Sequence, residues 1–542
     1  MGKCWWNGTI YTMEHEGHTV EAVYTEHGLV VATGSKEEIE GRFHDHIDEV
    51  VDLQGGTMFP GFVDSHMHLI GHGETFLKLD LSIMNSREEV LQAVSKRVEV
   101  TPIGSWIIAE GWNENRWADK SPITRQQLDE VAPDHPVMLR RICRHVLVVN
   151  TRTLEAVHIE ESQIIDAGDV TMDATEYGTT HHGIFKENAQ DLILHAVPAM
   201  TEAYLQEALT LAIQHAWSQG LVGCHTEDLS YYGSCKRTIS AFNHAIHEKS
   251  MKFRAHLLIH HMVVDEWKND ELVDTMESSM LEFGAMKIFA DGSLGGRTAL
   301  LSDHYADSPN TNGIAIHTDE ELNALVQKAR SYGMPIAVHA IGDLAAKKVL
   351  DVMERYPTSE GTRDRLIHGQ VLSQDSLERM KTLPVVIDIQ PTFVASDYPW
   401  VMERVGVGTD LHMYAWQTML DNGLHCAGGS DAPIEYVSPL LGMYTAVTRM
   451  SCEDPTQTVY QPEECLSVFD AISLYTTGSA YASGHEHDRG LIREGYSADF
   501  TILTIDPFLN TPSKWLEDGI AMTVIDESIV YKRDWKEEND SK

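Results

Sequence analysis

Phe59-Pro60-Gly61-Phe62-Val63-Asp64-Ser65-His66-Met67-His68-Leu69 carries the strongest local signal in the chain. Its apolar run, Phe59 to Val63, reads as a buried strand entered through a Pro-Gly turn. His66 and His68 stand at the carboxyl end of that strand. Residues i and i+2 of an extended backbone point to one side, so both imidazoles can meet one metal ion. The spacing alone is weak, because the chain holds 29 His in 542 residues. His44/His46 and His485/His487 repeat it, but in polar, acidic segments with no apolar strand before them, and they read as solvated loop residues.

Working outward, strand-like runs alternate with helix-like segments, the mark of βα units. The runs are Phe59–Asp64, Leu221–His225, Phe253–Ile259, Gly284–Phe289, Pro335–His339, Arg365–His368, Val385–Gln390 and Leu424–Gly429. Eight is the number that a closed (β/α)8 TIM-like barrel requires. The fold class expected is therefore α/β, with the barrel over 59–489. The count works if 70–215 is largely an insertion after the first barrel strand, expected over the barrel mouth. That insertion has strand-like runs at Trp106–Ala109 and Val137–Cys143 and a Gly/Thr/His loop near Tyr177–His182. Both ends of the chain are strand-rich: Thr9–Met13, Ala22–Tyr24, Leu29–Thr33, then Ala498–Leu503, Met522–Ile525 and Ile529–Tyr531. Neither end is long enough for a core of its own. Residues 1–58 and 490–535 are expected to share one small composite β-sandwich.

Composition narrows the partners. With 41 Lys+Arg against 82 Asp+Glu, the formal charge is -41. So negative a field disfavours nucleic acid and anionic membranes. No run approaches the 18 apolar residues of a membrane span, and no secretory h-region is seen near Met1. The 7 cysteines are scattered without a C-x-x-C, which suits reduced thiols and a cytoplasmic location. A small-molecule substrate is the partner expected, and a homodimer the assembly entertained.

Strand ends at the carboxyl face of a barrel form its active site. Here they supply His66, His68, Lys287, His339, His368 and Asp431. Each has an ordinary structural reading when taken alone: a hydrogen-bonded histidine, a lysine reaching solvent, an Asp capping a helix. Four His, one Lys in an apolar strand and one Asp, in order on the first, fourth, fifth, sixth and eighth strands, point instead to a metal site. Burial lowers the pKa of Lys287. Its neutral amine can add carbon dioxide and become a carbamate that bridges two ions. His66, His68 and Asp431 would hold the more buried ion, His339 and His368 the second. Imidazole and oxygen ligands suit zinc, with manganese, iron or nickel as alternatives and one or two divalent ions bound.

The wording around these residues narrows the family. Phe59–His68, Lys287-Ile-Phe-Ala-Asp-Gly-Ser-Leu-Gly-Gly-Arg-Thr298, His339-Ala-Ile-Gly-Asp343, His368-Gly369 and Gly428-Gly-Ser-Asp-Ala-Pro433 resemble the YtcJ-like amidohydrolases of the amidohydrolase superfamily. N-substituted formamide deformylases are related to that group. The resemblance covers nearly the whole chain. It implies metal-dependent hydrolysis of carbon–nitrogen bonds other than peptide bonds, in an amide or an N-formyl or N-acyl amine. One departure is visible: the last turn, Asp526-Glu527-Ser528, lacks the usual glycine.

The mechanism expected is attack by a metal-activated water, with Asp431 as general base and then general acid. Arg297, Trp112, Asn113 and His145 are the candidate substrate contacts. A deaminase or lactonase would use the same metal site on a different group. A non-catalytic amidohydrolase-like binding protein is the reading from another class, and it would be expected to have lost ligands.

Overall fold

The computed structural model describes residues 2–533 except 115–116, 120, 142–145, 159–169, 176–177, 195–200 and 270–277. Residues 1–71 and 205–542 form one compact unit, and His72–Tyr204 form another.

The first unit contains the barrel. Its strands are β1 (Phe62–Met67), β2 (Leu221–Thr226), β3 (Arg254–His260), β4 (Leu281–Phe289), β5 (Ile336–Ala340), β6 (Asp364–His368), β7 (Val385–Ile389) and β8 (His425–Gly428). They pair in that order, all parallel. These are the eight strands read from the sequence, in a nearly closed (β/α)8 barrel. Parallel strands covered on both faces read as continuous apolar runs, which is why they were visible. The edges β1 and β8 meet through backbone bonds: Asp431 N–H donates to His66 O at 2.7 Å and His68 N–H to Ala432 O at 2.7 Å. Inside the barrel, Leu258, Ala285, Ala337 and Ile367 make a small apolar plug.

The run Phe59–Asp64 is not one strand. It divides at Gly61. Thr57–Pro60 belongs to a second sheet, and β1 starts at Phe62. A Cβ on Gly61 would come within 2.5 Å of Val222 in β2, so only glycine lets the chain pass from one sheet to the other there.

That second sheet is built from both chain ends. Its order is Ser528–Lys532, Ile520–Ile525, Phe500–Leu503, Thr57–Pro60, Gly2–Tyr11, Thr19–Glu26 and Leu29–Gly34, with Ile47–Asp52 also paired to Gly2–Tyr11. Trp5, Ile10, Val23, Met58, Phe500, Ile502 and Val524 are fully buried in its core. The glycine-free turn has both Asp526 (φ 44°) and Glu527 (φ 55°) in the left-handed region. The Asp526 carboxylate accepts from Arg254 of β3 at 2.6 Å.

The His72–Tyr204 unit has a six-stranded mixed sheet: Val170–Thr175, Gly178–Lys186, Val146–Val149, Val137–Arg141, Ile107–Trp112 and Leu79–Asp80. Leu81, Val94, Trp112, Trp117 and Leu139 pack its core. The loop expected near Tyr177–His182 is, over its described part, the strand Gly178–Lys186. Its Gly-Thr-Thr-His composition hid the pairing with Val170–Thr175.

Candidate metal centre

His66 is the penultimate residue of β1 and is 1% exposed. Asp64, two residues earlier, accepts from the His66 N–H at 3.0 Å and from the Ser430 N–H at 3.1 Å. One buried carboxylate thus clamps the end of β1 to the segment leading to Asp431. Gly429 makes the approach possible, since a Cβ there would lie 2.6 Å from the His66 nitrogen. Asp431 (φ 55°) and His368 (φ 76°) both hold left-handed backbone without being glycine. Such conformations cost about 1–3 kcal/mol each and gather at functional sites.

The structure brings the six residues together at the carboxyl ends of the strands. Asp431 Oδ1 lies 3.4 Å from His66 Nε2 and 3.5 Å from His68 Nε2. One ligand atom from each of the three falls within 4.8 Å of the others. Lys287 Nζ, fully buried, is 3.1 Å from His66 Nε2. The His368 ring is 5.7 Å from that of His66 and 4.5 Å from that of His339.

Each outer imidazole is oriented by its second nitrogen. His68 Nδ1–H donates to Glu227 O at 2.5 Å. His339 Nε2–H donates to Gly292 O at 3.0 Å. His368 Nδ1–H donates to Gln390 Oε1 at 2.7 Å, and the Gln390 amide is itself fixed by Asp388 O at 3.2 Å. Metal-ligating histidines are oriented in this way, the remaining nitrogen being left for the ion.

Burial holds the His66, His339 and His368 imidazoles below their ordinary pKa, hence neutral with a lone pair to give. Burial opposes a charge on His68 as well, but Asp431, Glu227 and Asp228 raise it to about 9. Burial lowers Lys287 to about 8. The donor set fits a divalent cation. Ligand bonds of about 2.0–2.2 Å in a tetrahedron place ligand atoms roughly 3.3–3.5 Å apart. The two spacings from Asp431 Oδ1, to His66 and to His68, match that edge, whereas a bare charge-assisted hydrogen bond closes to about 2.7–2.9 Å.

The substrate-contact candidates are placed differently. Arg297, in the loop after β4, gives both its Nε and an Nη to Asp307, at 3.1 and 2.7 Å. Trp112 is 1% exposed in the core of the His72–Tyr204 unit, and Asn113 follows it at the strand end. His145 lies outside the described residues. Of the two H-x-H pairs set aside, His44, His46 and His487 are exposed. His485 is not a solvated loop residue: its Nε2 meets Glu282 at 2.9 Å and its Nδ1 meets Asp488 at 3.0 Å.

The structure adds residues that the strand pattern did not single out. Glu227, fully buried just past β2, carries the carbonyl that orients His68, and its side chain accepts from Tyr231 OH at 2.6 Å. His260 is the last residue of β3 and the register partner of Lys287. Among the described residues, no helix is long and apolar enough to cross a membrane.

Comparison with known proteins agrees with this geometry. The model of the amidohydrolase family matches residues 49–531. YtcJ of Bacillus subtilis strain 168, whose name proposes an amidohydrolase, is 48% identical over 534 residues, covering 98% of this chain and 100% of that protein. N-substituted formamide deformylase of Arthrobacter pascens is 25% identical over 546 residues, covering 97% and 98%. The crystal structure of an uncharacterized metal-dependent hydrolase from Pyrococcus horikoshii OT3 superposes with a TM-score of 0.79 at 29% identity, covering 94% and 99%. A barrel whose strand ends converge on histidines and an aspartate, matched along nearly its whole length, places this chain in the amidohydrolase family, among the metal-dependent hydrolases.

Proposed function

We propose that the chain hydrolyses a carbon–nitrogen bond other than a peptide bond, in a small N-formyl or N-acyl amine. The observation that carries this reading is the ligand-edge spacing of Asp431 from His66 and His68. Likeness to a protein named for formamide deformylation favours the amide over other carbonyl compounds.

A divalent ion, which we assign as zinc, supplies Lewis acidity: it polarises a carbonyl and acidifies water. His66, His68 and Asp431 would hold a first ion, and His339 and His368 a second. Lys287, as a carbamate formed when its neutral amine adds carbon dioxide and releases one proton, would add an anionic oxygen ligand to that set. Asp431 takes the proton of the attacking water and returns it to the departing nitrogen. The clamp by Asp64 keeps Asp431 facing His66 throughout.

The test is metal analysis of the purified chain, then assay of formanilide, acetanilide, a cyclic amide and phenyl acetate. Cleavage of an open-chain amide is expected, abolished by chelation and restored by zinc. A metal-loaded protein that cleaves only the ester, or that only releases ammonia from amino-heterocycles, would replace this reading by the lactonase or deaminase.

A further inference from the structure

An arc of rings runs around the mouth of the barrel. His68 contacts Tyr231 at 5.8 Å between centroids, Tyr231 contacts His260 at 6.3 Å, and His260 contacts Phe289 at 5.7 Å. Phe289 then contacts His339 at 5.1 Å. Both ends of the arc are metal-site imidazoles. His260 stands at its centre, at the end of β3. It is the register partner of Lys287, and paired residues on neighbouring strands share a face of the sheet. His260 therefore faces the same interior as the buried lysine.

Apart from the His68 and His339 nitrogens left for the ion, the polar atoms of this arc are committed, with His260 Nε2 as the exception. His68 Nδ1–H goes to Glu227 O, Tyr231 OH to Glu227 Oε2, and His339 Nε2–H to Gly292 O. His260 Nδ1 accepts the backbone N–H of Met262 at 3.2 Å. An imidazole that accepts at Nδ1 carries its hydrogen on Nε2. That Nε2–H has no partner among the described residues, and unlike the sealed ring nitrogens of His66, His225 and His256 it is open to the solvent-filled mouth of the barrel. A donor that is open to the site and bonded to nothing in the protein is the one a planar carbonyl would need.

We propose that His260 is a substrate-binding residue whose Nε2–H holds the carbonyl oxygen under attack, with Tyr231 and Phe289 as flat walls for the acyl plane. The proposal rests on the amide-hydrolase reading for its substrate, but only on a carbonyl for its geometry. A neutral donor suits the role because it stabilises the developing oxyanion without adding a third positive centre.

Two variants separate this from a packing role. His260→Phe keeps a ring and loses the donor. His260→Gln loses the ring and keeps an N–H. With metal content equal to wild type, His260→Phe should lose about 10²–10³-fold in kcat/KM, mostly in kcat, the cost of one oxyanion donor. His260→Gln should recover part of that loss. Crystals of the metal-loaded protein soaked in N-methylformamide should show the carbonyl oxygen within about 3.2 Å of His260 Nε2. A Phe variant within threefold of wild type on formanilide or phenyl acetate would overturn the assignment. So would N-methylformamide lying with its oxygen elsewhere, or absent from the site. If formanilide is not cleaved at all, the amide reading fails, while the soak and the ester still decide the role of His260.

Discussion

The two ends of the barrel use the same residue types to opposite effect. At the carboxyl end, Asp431 is held 3.4 and 3.5 Å from two imidazole nitrogens. At the amino end, Glu282 closes on His485 at 2.9 Å and on Arg489 at 2.6 Å, with the His256 ring beside it. There too, Arg254 of β3 joins Asp499 Oδ1 at 3.0 Å and Asp526 at 2.6 Å. Glu282, His485, Arg254 and Asp499 are hydrogen-bonded within that network, although His256 Nδ1 and Arg489 Nε have no partner among the described residues. The upper groups are kept apart by backbone clamps, left-handed residues and carbonyls that hold each ring. Histidine and carboxylate content therefore says little about function; the spacing between their atoms separates a structural network from a site that takes a ligand.

The comparison breaks most sharply if Asp431 proves dispensable. Asp431→Asn keeps the size and one ligand oxygen but removes the base. Its kcat should fall at least ~10²-fold with metal content largely retained, measured side by side on the amide found in the screen. Near-normal kcat would refute the role. Lys287→Ala should lower both metal content and activity, and short carboxylic acids such as propionate should restore part of each. Unchanged metal content in that variant would remove the lysine from the ligand set.

At the other end the expected losses are in stability. Arg254→Ala leaves Asp499 buried without its partner and should destabilise by about 3–5 kcal/mol, read as a lowered Tm at equal metal content. A Tm shift under one degree would show that the network is not needed there. The smallest effect separates two neighbours. Burial opposes a charge on His485, but Glu282 raises its pKa above the ordinary value. A raised histidine stabilises fully below its unfolded pKa, about 6.5, and loses that contribution as pH rises through the folded value. The Tm gap between wild type and His485→Gln should thus be widest near pH 6 and narrow toward pH 9. His487→Ala, at a side chain 90% exposed, should stay within about 0.5 kcal/mol at both.

The barrel was legible because buried parallel strands are apolar runs ending in polar residues. The metal-site candidates were legible because they sit at those ends. What escaped depended on strand limits and on tertiary partners. Reading the third run as Phe253–Ile259 stopped one residue short of His260, which the structure includes in β3. Glu227 escaped because it lies two residues past the run that ended at His225, and its role is to fix His68, just beyond another strand. Gly61 looked like a turn before one strand, when it is the junction of two sheets. His485 looked solvated because its partner Glu282 lies 203 residues away in sequence.

The composite sheet also sets an order of events during synthesis. Thr57–Pro60 is central in that sheet, flanked by Gly2–Tyr11 and Phe500–Leu503. The second neighbour is translated about 440 residues later, roughly 20–90 s at ordinary elongation rates. A growing chain that has already paired Thr57–Pro60 with Gly2–Tyr11 would present an unpaired strand edge throughout that interval, the kind that templates unwanted pairing. Pro60, which has no N–H to offer, sits at the end of that waiting strand. Phe500–Leu503, emerging near the end, closes the edge. Chain-terminating truncations before residue 500 are therefore a different hazard from point mutations in the barrel, because they leave that edge open permanently.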